Sequence, residues 1–300
     1  MSIKLPKIHL DSGDPEETKR AKGLLGFLDG QTTNPTLVAK NPEIQAYLAK
    51  GKKLTVAELL ERYKQMVQAI EKEVAGPISV EVTANWETTA SDMLKQAETI
   101  ATWGRTIQLK FPTTPEGVKA AHEFTKKGGR VNMTLVFTQE QAAAVYTSTL
   151  ETSQPVFLSP FIARWNDRGF NGMDLLKNTI KMYKRFSIVQ KGPLFSHHTK
   201  SHVLILAASI RTLDQFYDAI FQGADIITVP YSLLQEWVHQ ERWLPDEHYR
   251  SPVHGVKSIL YKDLPFEKDF TRYEITNEKG SLLAEGLTKF ENDWNSVVKV

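Results

Sequence analysis

Lys110 sits in the apolar run TIQLKF. A lysine that loses its water to such surroundings has its pKa lowered toward neutrality and becomes a nucleophile for carbonyl carbons. Two carboxylates belong to similar runs, Asp11 closing KIHLD and Glu81 within ISVEV. Such a pair divides general acid and base work where its surroundings separate the two pKa values. Asn34, Asn132 and Ser159 are neutral hydrogen-bonding groups suited to sugar hydroxyls. Arg164 and Arg211 follow shortly after the runs FLSPF and LILAAS, and a guanidinium fork grips a phosphate through two hydrogen bonds. Each has a plainer reading by itself: a solvated lysine, a capping carboxylate, an arginine in a surface ion pair. Chemistry requires that one scaffold bring them together.

Eight short apolar runs have strand character: KIHLD ending at Asp11, LLGFLD ending at Asp29, ISVEV from Ile78, TIQLKF from Thr106, RVNMTLVF from Arg130, PVFLS from Pro155, HVLILAAS from His202 and DIITVP from Asp225. Most precede a helical pattern, the order of βα units and a parallel sheet. Thr55–Glu58, Thr138–Gln141, Thr212–Gln215 and Ser232–Gln235 read as capping boxes, and Thr114-Pro115 as a further helix start. Leu59, Tyr63, Met66, Ile70 and Val74 form one buried helical stripe. The fold class this predicts is α/β, a (β/α)8 TIM barrel. A doubly wound open sheet is the alternative, but its glycine-rich dinucleotide turn is missing. Residues 1–300 read as a single barrel domain, with 236–300 as a C-terminal helical and loop extension packed on it.

Side chains on a strand alternate between its faces. With the apolar set turned toward the helices, His9 and Asp11 face inward, as do Ser79, Glu81 and Thr83, Gln108 and Lys110, Asn132 and Thr134, and Phe157 and Ser159. On strand seven the same rule sends Leu204, Leu206 and Ala208 outward and Ile205, Ala207 and Ser209 inward, with Arg211 next on that side. Barrel interiors are normally filled by branched apolar side chains, so charged and polar groups converging near the strand ends must pair, lose charge or serve a site.

Composition narrows the class. Hydrophobic residues are 41% and charged residues 24% of 300, enough for a sizeable core. A net charge of +2 argues against a nucleic-acid binder driven by a large basic field. With no cysteine there is no disulfide, thiolate metal site or thiol nucleophile. Neither a membrane-length apolar run nor the apolar stretch of a signal peptide is found, which fits a cytoplasmic protein. His197, His198 and His202 lie close together, but no carboxylate stands at ligand spacing, so a polar loop is expected there and no metal site.

The blocks DGQTTNPTLVAK from Asp29, LKFPTTPEGVKAA from Leu109, VNMTLVFTQEQAAAVY from Val131, FLSPFIARWNDRG from Phe157 and LAASIRTLDQF from Leu206 resemble those of transaldolases. The resemblance spans roughly Leu10 to Pro230, and the segment after about Glu236 carries no such motif. It implies a (β/α)8 barrel with a Schiff-base lysine and no cofactor. Lys110 matches that lysine, Asp11 the acid–base aspartate, and Glu81 with Thr134 the pair that holds a catalytic water. Asn34, Asn132 and Ser159 match substrate-binding residues, and Arg164, Ser209 and Arg211 the phosphate set. Phe111 after the lysine, Ala163 before Arg164 and the loop KGPLFSHHTKSH depart from the pattern, which bears on substrate preference more than on chemistry.

The implied partners are small sugar phosphates, not nucleic acid or membrane; assembly into a homo-oligomer is left open. Three functions are then in play: a transaldolase moving a dihydroxyacetone unit from fructose 6-phosphate or sedoheptulose 7-phosphate to an aldose phosphate, a fructose-6-phosphate aldolase that releases dihydroxyacetone, and a silent barrel that only binds sugar phosphates. In this resemblance transaldolases carry Glu on strand three and Ser-Pro-Phe on strand six, where the aldolases carry Gln and Ala-Pro-Tyr. Glu81 and Ser159-Pro160-Phe161 fall on the transaldolase side.

Overall fold

The computed structural model describes residues 4–190, 201–252, 255–276 and 278–299. Its first half runs β1 (Lys7–Asp11), α1 (Pro15–Leu25), β2 (Gly30–Thr32), α2 (Pro35–Ala39), α3 (Pro42–Leu48), α4 (Val56–Glu73), β3 (Ile78–Glu81), α5 (Ala90–Ile100), β4 (Ile107–Pro112) and α6 (Pro115–Lys126). The second half runs β5 (Val131–Val136), α7 (Gln139–Ser148), β6 (Val156–Pro160), α8 (Ala163–Asn166), α9 (Gly172–Gln190), β7 (Val203–Ala207), α10 (Leu213–Gln222), β8 (Ile226–Val229), α11 (Tyr231–His239) and α12 (Leu282–Val297). All neighbouring strands are parallel, and β8 pairs with β1 to close the barrel. This is the (β/α)8 fold expected from the alternating pattern.

Local chemistry accounts for the helix starts. Thr55 and Thr138 form complete capping boxes with Glu58 and Gln141, and Thr114 caps α6 ahead of Pro115. The stripe on α4 is buried against the barrel. Two expectations fail. Thr212 accepts from the Gln215 amide, but the Gln215 side chain accepts from Arg211 and does not reach back to the cap. Ser232 caps nothing, because Pro230 is already the cap residue and Ser232 lies in the first turn of α11.

Strand two also differs from the expectation. Leu24 and Leu25 finish α1, Gly26 ends that helix at φ 78°, and the strand is Gly30–Thr32. It carries no aliphatic residue, so it gives no apolar signal. Gln31 is satisfied instead by donating to the Ser12 carbonyl and accepting from Thr18. Gly30 is required, since a Cβ there would lie 2.3 Å from His9 Nε2.

Strand seven has the opposite parity to that expected. Leu204 is in register with Phe157 and Leu206 with Ile226, and Leu206 and Ala208 pack with these inside the barrel. Ile205 and Ala207 join the layer beneath the helices. LILAA is apolar on both faces, so alternation cannot decide between them. Thr83, expected to point inward, lies past the end of β3 and bonds Gln96 on α5. Leu135, inside β5, takes φ 57° where the β5–β6 register shifts, and its side chain packs with Phe137, Leu283 and Leu287.

After α11 the chain travels along the helical shell. Tyr249 and Ser251 donate to the Asp218 carboxylate on α10, the Ile259 amide donates to Asp174 on α9, and Gln139 on α7 exchanges hydrogen bonds with Lys262. It then returns as α12, which packs on α2 and β5. No helix of the described residues is long and apolar enough to cross a membrane.

Candidate active site

Register places the ionisable groups before any side chain is considered. Asp11 is level with Thr32, Glu81 with Lys110, and Lys110 with Asn132, all on the inner face near the C-terminal strand ends. Lys110 Nζ lies 2.8 Å from Glu81 Oε2 and donates to the Thr33 carbonyl at 3.1 Å. Lysine and glutamate are 4% and 3% exposed, so the pair is isolated from bulk water. Burial, reinforced by the Asp11 charge and opposed by Lys110, pushes the Glu81 carboxyl up to about 7. Burial also raises the Asp11 carboxyl above its ordinary value, against the pull of Lys110 and of the Thr32 hydroxyl that donates to it at 2.7 Å.

A cavity of ≈ 460 Å³ opens above this trio, lined by Asp11, Asn34, Lys110, Ser159, Phe161, Arg164, Ser209 and Arg211. Asn34 Oδ1 caps α2 by accepting from the Leu37 amide, which leaves its NH₂ for a ligand. Ser209 reaches the mouth because its φ of 55° breaks the alternation of the strand before it. Arg211 is bound to both carboxylate oxygens of Asp167, at 2.9 and 3.0 Å. Arg164 makes no ion pair among the described residues. Phe161 stands at the rim, edge-on to Phe137.

Three expected residues lie outside the lining of this cavity. Asn132 donates to Ser79 Oγ and accepts from Ser159 Oγ at 2.7 Å, so it meets a ligand only through Ser159. Thr134 is fully buried, level with Pro112 on β4, and its Oγ1 has no hydrogen-bond partner among the described residues. Glu81 lines a neighbouring cavity of ≈ 270 Å³.

A model of the transaldolase/fructose-6-phosphate aldolase family matches residues 8–300. The chain belongs to this family. It is 35% identical over 232 residues to a probable transaldolase of Dehalococcoides mccartyi, covering 77% of this chain and 89% of the relative. It is 34% identical over 230 residues to one of Thermus thermophilus, with the same coverage of 77% and 89%, and 31% identical over 228 residues to one of Leptospira biflexa, covering 76% and 88%. The family is one of enzymes, and its match runs through the tail in which the sequence carries no motif.

Four contributors to this transaldolase-family mouth escaped the sequence reading. Thr32 and Thr228 share a 2.6 Å hydrogen bond beside Asp11. Thr228 would have come from extending the alternation to strand eight; Thr32 was hidden by the misplaced strand two. Lys289 and Phe290 line the cavity from α12, and nothing local in the sequence marks them. Of the histidine group, His197 and His198 lie outside the described residues. His202 is buried against Tyr146, with Nε2 3.0 Å from Thr149 Oγ1, and burial lowers it to about 4. No group of three or more metal-ligating side chains occurs among the described residues.

Proposed function

We propose that the chain transfers a dihydroxyacetone unit from fructose 6-phosphate or sedoheptulose 7-phosphate to an aldose phosphate, through a Schiff base on Lys110. The observation that carries this reading is the buried Lys110–Glu81 contact of 2.8 Å with Asp11 in the same mouth. Glu81 takes a proton from Nζ, and the freed amine attacks the C2 ketone. Titrating at about 7, Glu81 then returns a proton to the carbinolamine hydroxyl, which leaves as water held between Glu81 and Thr134. Asp11 removes the C4 hydroxyl proton, the C3–C4 bond breaks, and its electron pair enters the iminium to give an enamine. The aldose phosphate departs. An acceptor aldehyde adds to C3, and Asp11 gives its proton back to the new hydroxyl. The protonated imine is the electron sink, so these steps call for no metal or other cofactor.

The remaining residues hold the substrate. Asn34 and Ser159, the latter oriented by Asn132, meet the sugar hydroxyls. Arg164, Ser209 and Arg211 take the phosphate, with Arg211 released from Asp167 as the anion arrives. Phe161 offers no proton to the enamine, which favours transfer over release of dihydroxyacetone. On this reading residues 1–300 act as one catalytic unit, and 236–300 supply its roof.

Borohydride reduction in the presence of fructose 6-phosphate should add a single three-carbon unit, mapped to Lys110. An adduct on another lysine, or none in a preparation that turns over, removes the mechanism. Adding erythrose 4-phosphate should speed glyceraldehyde 3-phosphate release many times over. If dihydroxyacetone is liberated as fast without acceptor as with it, the activity is that of an aldolase.

A further inference from the structure

Two cavities at the mouth of the barrel share a wall. Asp11 and Lys110 line the larger and Glu81 the smaller, and the Phe290 side chain lines both. The Phe290 ring centroid is 6.0 Å from Lys110 Nζ, and the residue is 8% exposed. Its backbone is clamped from several sides. A Cβ on Gly286 would lie 2.8 Å from the Leu135 side chain, so α12 approaches β5 as closely as a glycine permits. Asn85 donates to Glu291 at 2.8 Å on one flank, and Thr36 donates to Asp293 on the other. Beyond the helix, Leu54 donates to the Val297 carbonyl and accepts from the Lys299 amide.

The smaller cavity suits water. Its ≈ 270 Å³ exceeds several-fold the ~30 Å³ share of one water molecule, and Thr83, Asn85 and Glu291 bring polar atoms to its wall. Glu81, the acid of the pair, opens onto it. Loss of the three-carbon unit to water begins with a proton. The C=C electron pair of the enamine takes it at C3 and the iminium re-forms. Water then adds at C2 and yields its proton to Glu81. Glu81 returns that proton to Nζ, the C2–N electron pair goes to Nζ as the C2 oxygen forms its carbonyl bond, and the hydroxyl proton passes back to Glu81 as dihydroxyacetone leaves. Dehydration of the first carbinolamine needs an acid only at C2, where water leaves, whereas release needs a proton at C3 as well as water at C2.

We propose that Phe290 is a positioning residue that separates Glu81 and its water from the C3 side of the intermediate, so that the bound unit waits for an aldehyde. This rests on the Schiff-base reading above. The test compares Phe290→Ala and Phe290→Leu with the unmodified protein, using fructose 6-phosphate with and without erythrose 4-phosphate, and records the borohydride adduct and the released products. The alanine variant should raise the ratio of acceptor-free dihydroxyacetone release to transfer by about tenfold, or ~1.4 kcal/mol of relative barrier, while leucine stays within about twofold. Phe290→Val gives the same readout if the alanine variant does not fold. A variant that forms the Lys110 adduct with an unchanged ratio overturns the proposal, and so does an equal rise for leucine and alanine. Absence of the adduct in the unmodified protein instead refutes the Schiff-base reading, and the role of Phe290 falls with it.

Discussion

The barrel interior has two storeys, and three strands contribute to both. Below stand His9, Ser79 and Gln108; two residues further along the same strands stand Asp11, Glu81 and Lys110. Burial is nearly as complete in both, with His9 at 0% and Lys110 at 4%, yet the two storeys meet its cost differently. Below, nothing carries charge. Burial, with Lys7 nearby, lowers His9 to about 3, and its ring packs edge-on to Phe157 with no hydrogen-bond partner among the described residues. Gln108 donates to the Val131 and Pro155 carbonyls. Above, opposite charges touch at 2.8 Å and a second carboxylate stands by. Desolvation alone keeps a titratable group neutral and inert. Desolvation with an opposite charge in contact leaves a proton that can be exchanged near neutral pH.

The largest break in this contrast is Lys110→Met, which makes the upper storey resemble the lower. Turnover should fall by on the order of 10³-fold or more, because the covalent step disappears. The fold should survive, since Glu81 can take a proton once its partner has gone; circular dichroism and activity together check both halves. Loss of fold would show that the ion pair is structural.

Arg211→Ala and Arg164→Ala leave both storeys intact and strip the mouth. For phosphorylated ketoses kcat/KM should drop by ~1.5–3 kcal/mol for the charged hydrogen bond lost. Arg211 should sit at the low end of that range, being half exposed and bound to Asp167. Dihydroxyacetone and other unphosphorylated ketoses should hardly respond. Equal losses for both substrate types would remove the phosphate role.

The smallest effect sharpens the comparison through pH. Between about 3 and 6.5 the unfolded chain binds a proton at His9 that the folded chain refuses, so this residue makes stability fall as pH falls. Glu81 acts in the opposite sense. Between 4.5 and about 7 the folded chain keeps a proton that the unfolded chain has lost, so this residue makes stability fall as pH rises. Each contributes at most ~1.4 kcal/mol per pH unit within its window. Denaturant midpoints from pH 5 to 6 should therefore slope more steeply toward acid instability in Glu81→Gln and less steeply in His9→Leu. Parallel shifts in both variants would mean that neither group titrates as its surroundings require.

Much of the upper storey was legible before the fold. Asp11, Glu81 and Lys110 each interrupt an alternating apolar strand, and that irregularity is visible locally. Alternation failed where its contrast vanished: in LILAA, apolar on both faces, and in Gly30–Thr32, which has no aliphatic residue. Ser209 lies in the mouth as expected, but by way of a left-handed residue and not by strand parity. Thr228 was within reach of alternation on strand eight, whereas Thr32 needed strand two itself to be correctly placed. Asn132 was rightly placed inside, yet its polar atoms are consumed by Ser79 and Ser159.

Residue type and two-residue periodicity were enough to point to alternating βα units, a parallel sheet and the charges that β1, β3 and β4 turn inward, because both act over a few neighbouring residues. Only the tertiary structure decided that Glu81 meets Lys110 at 2.8 Å, that Arg211 rests on Asp167 and that Phe290 closes over the lysine. Those distances join positions tens to hundreds of residues apart. They follow from the closing of eight strands into a ring and from the return of the C-terminal helix across it, and no local pattern encodes either.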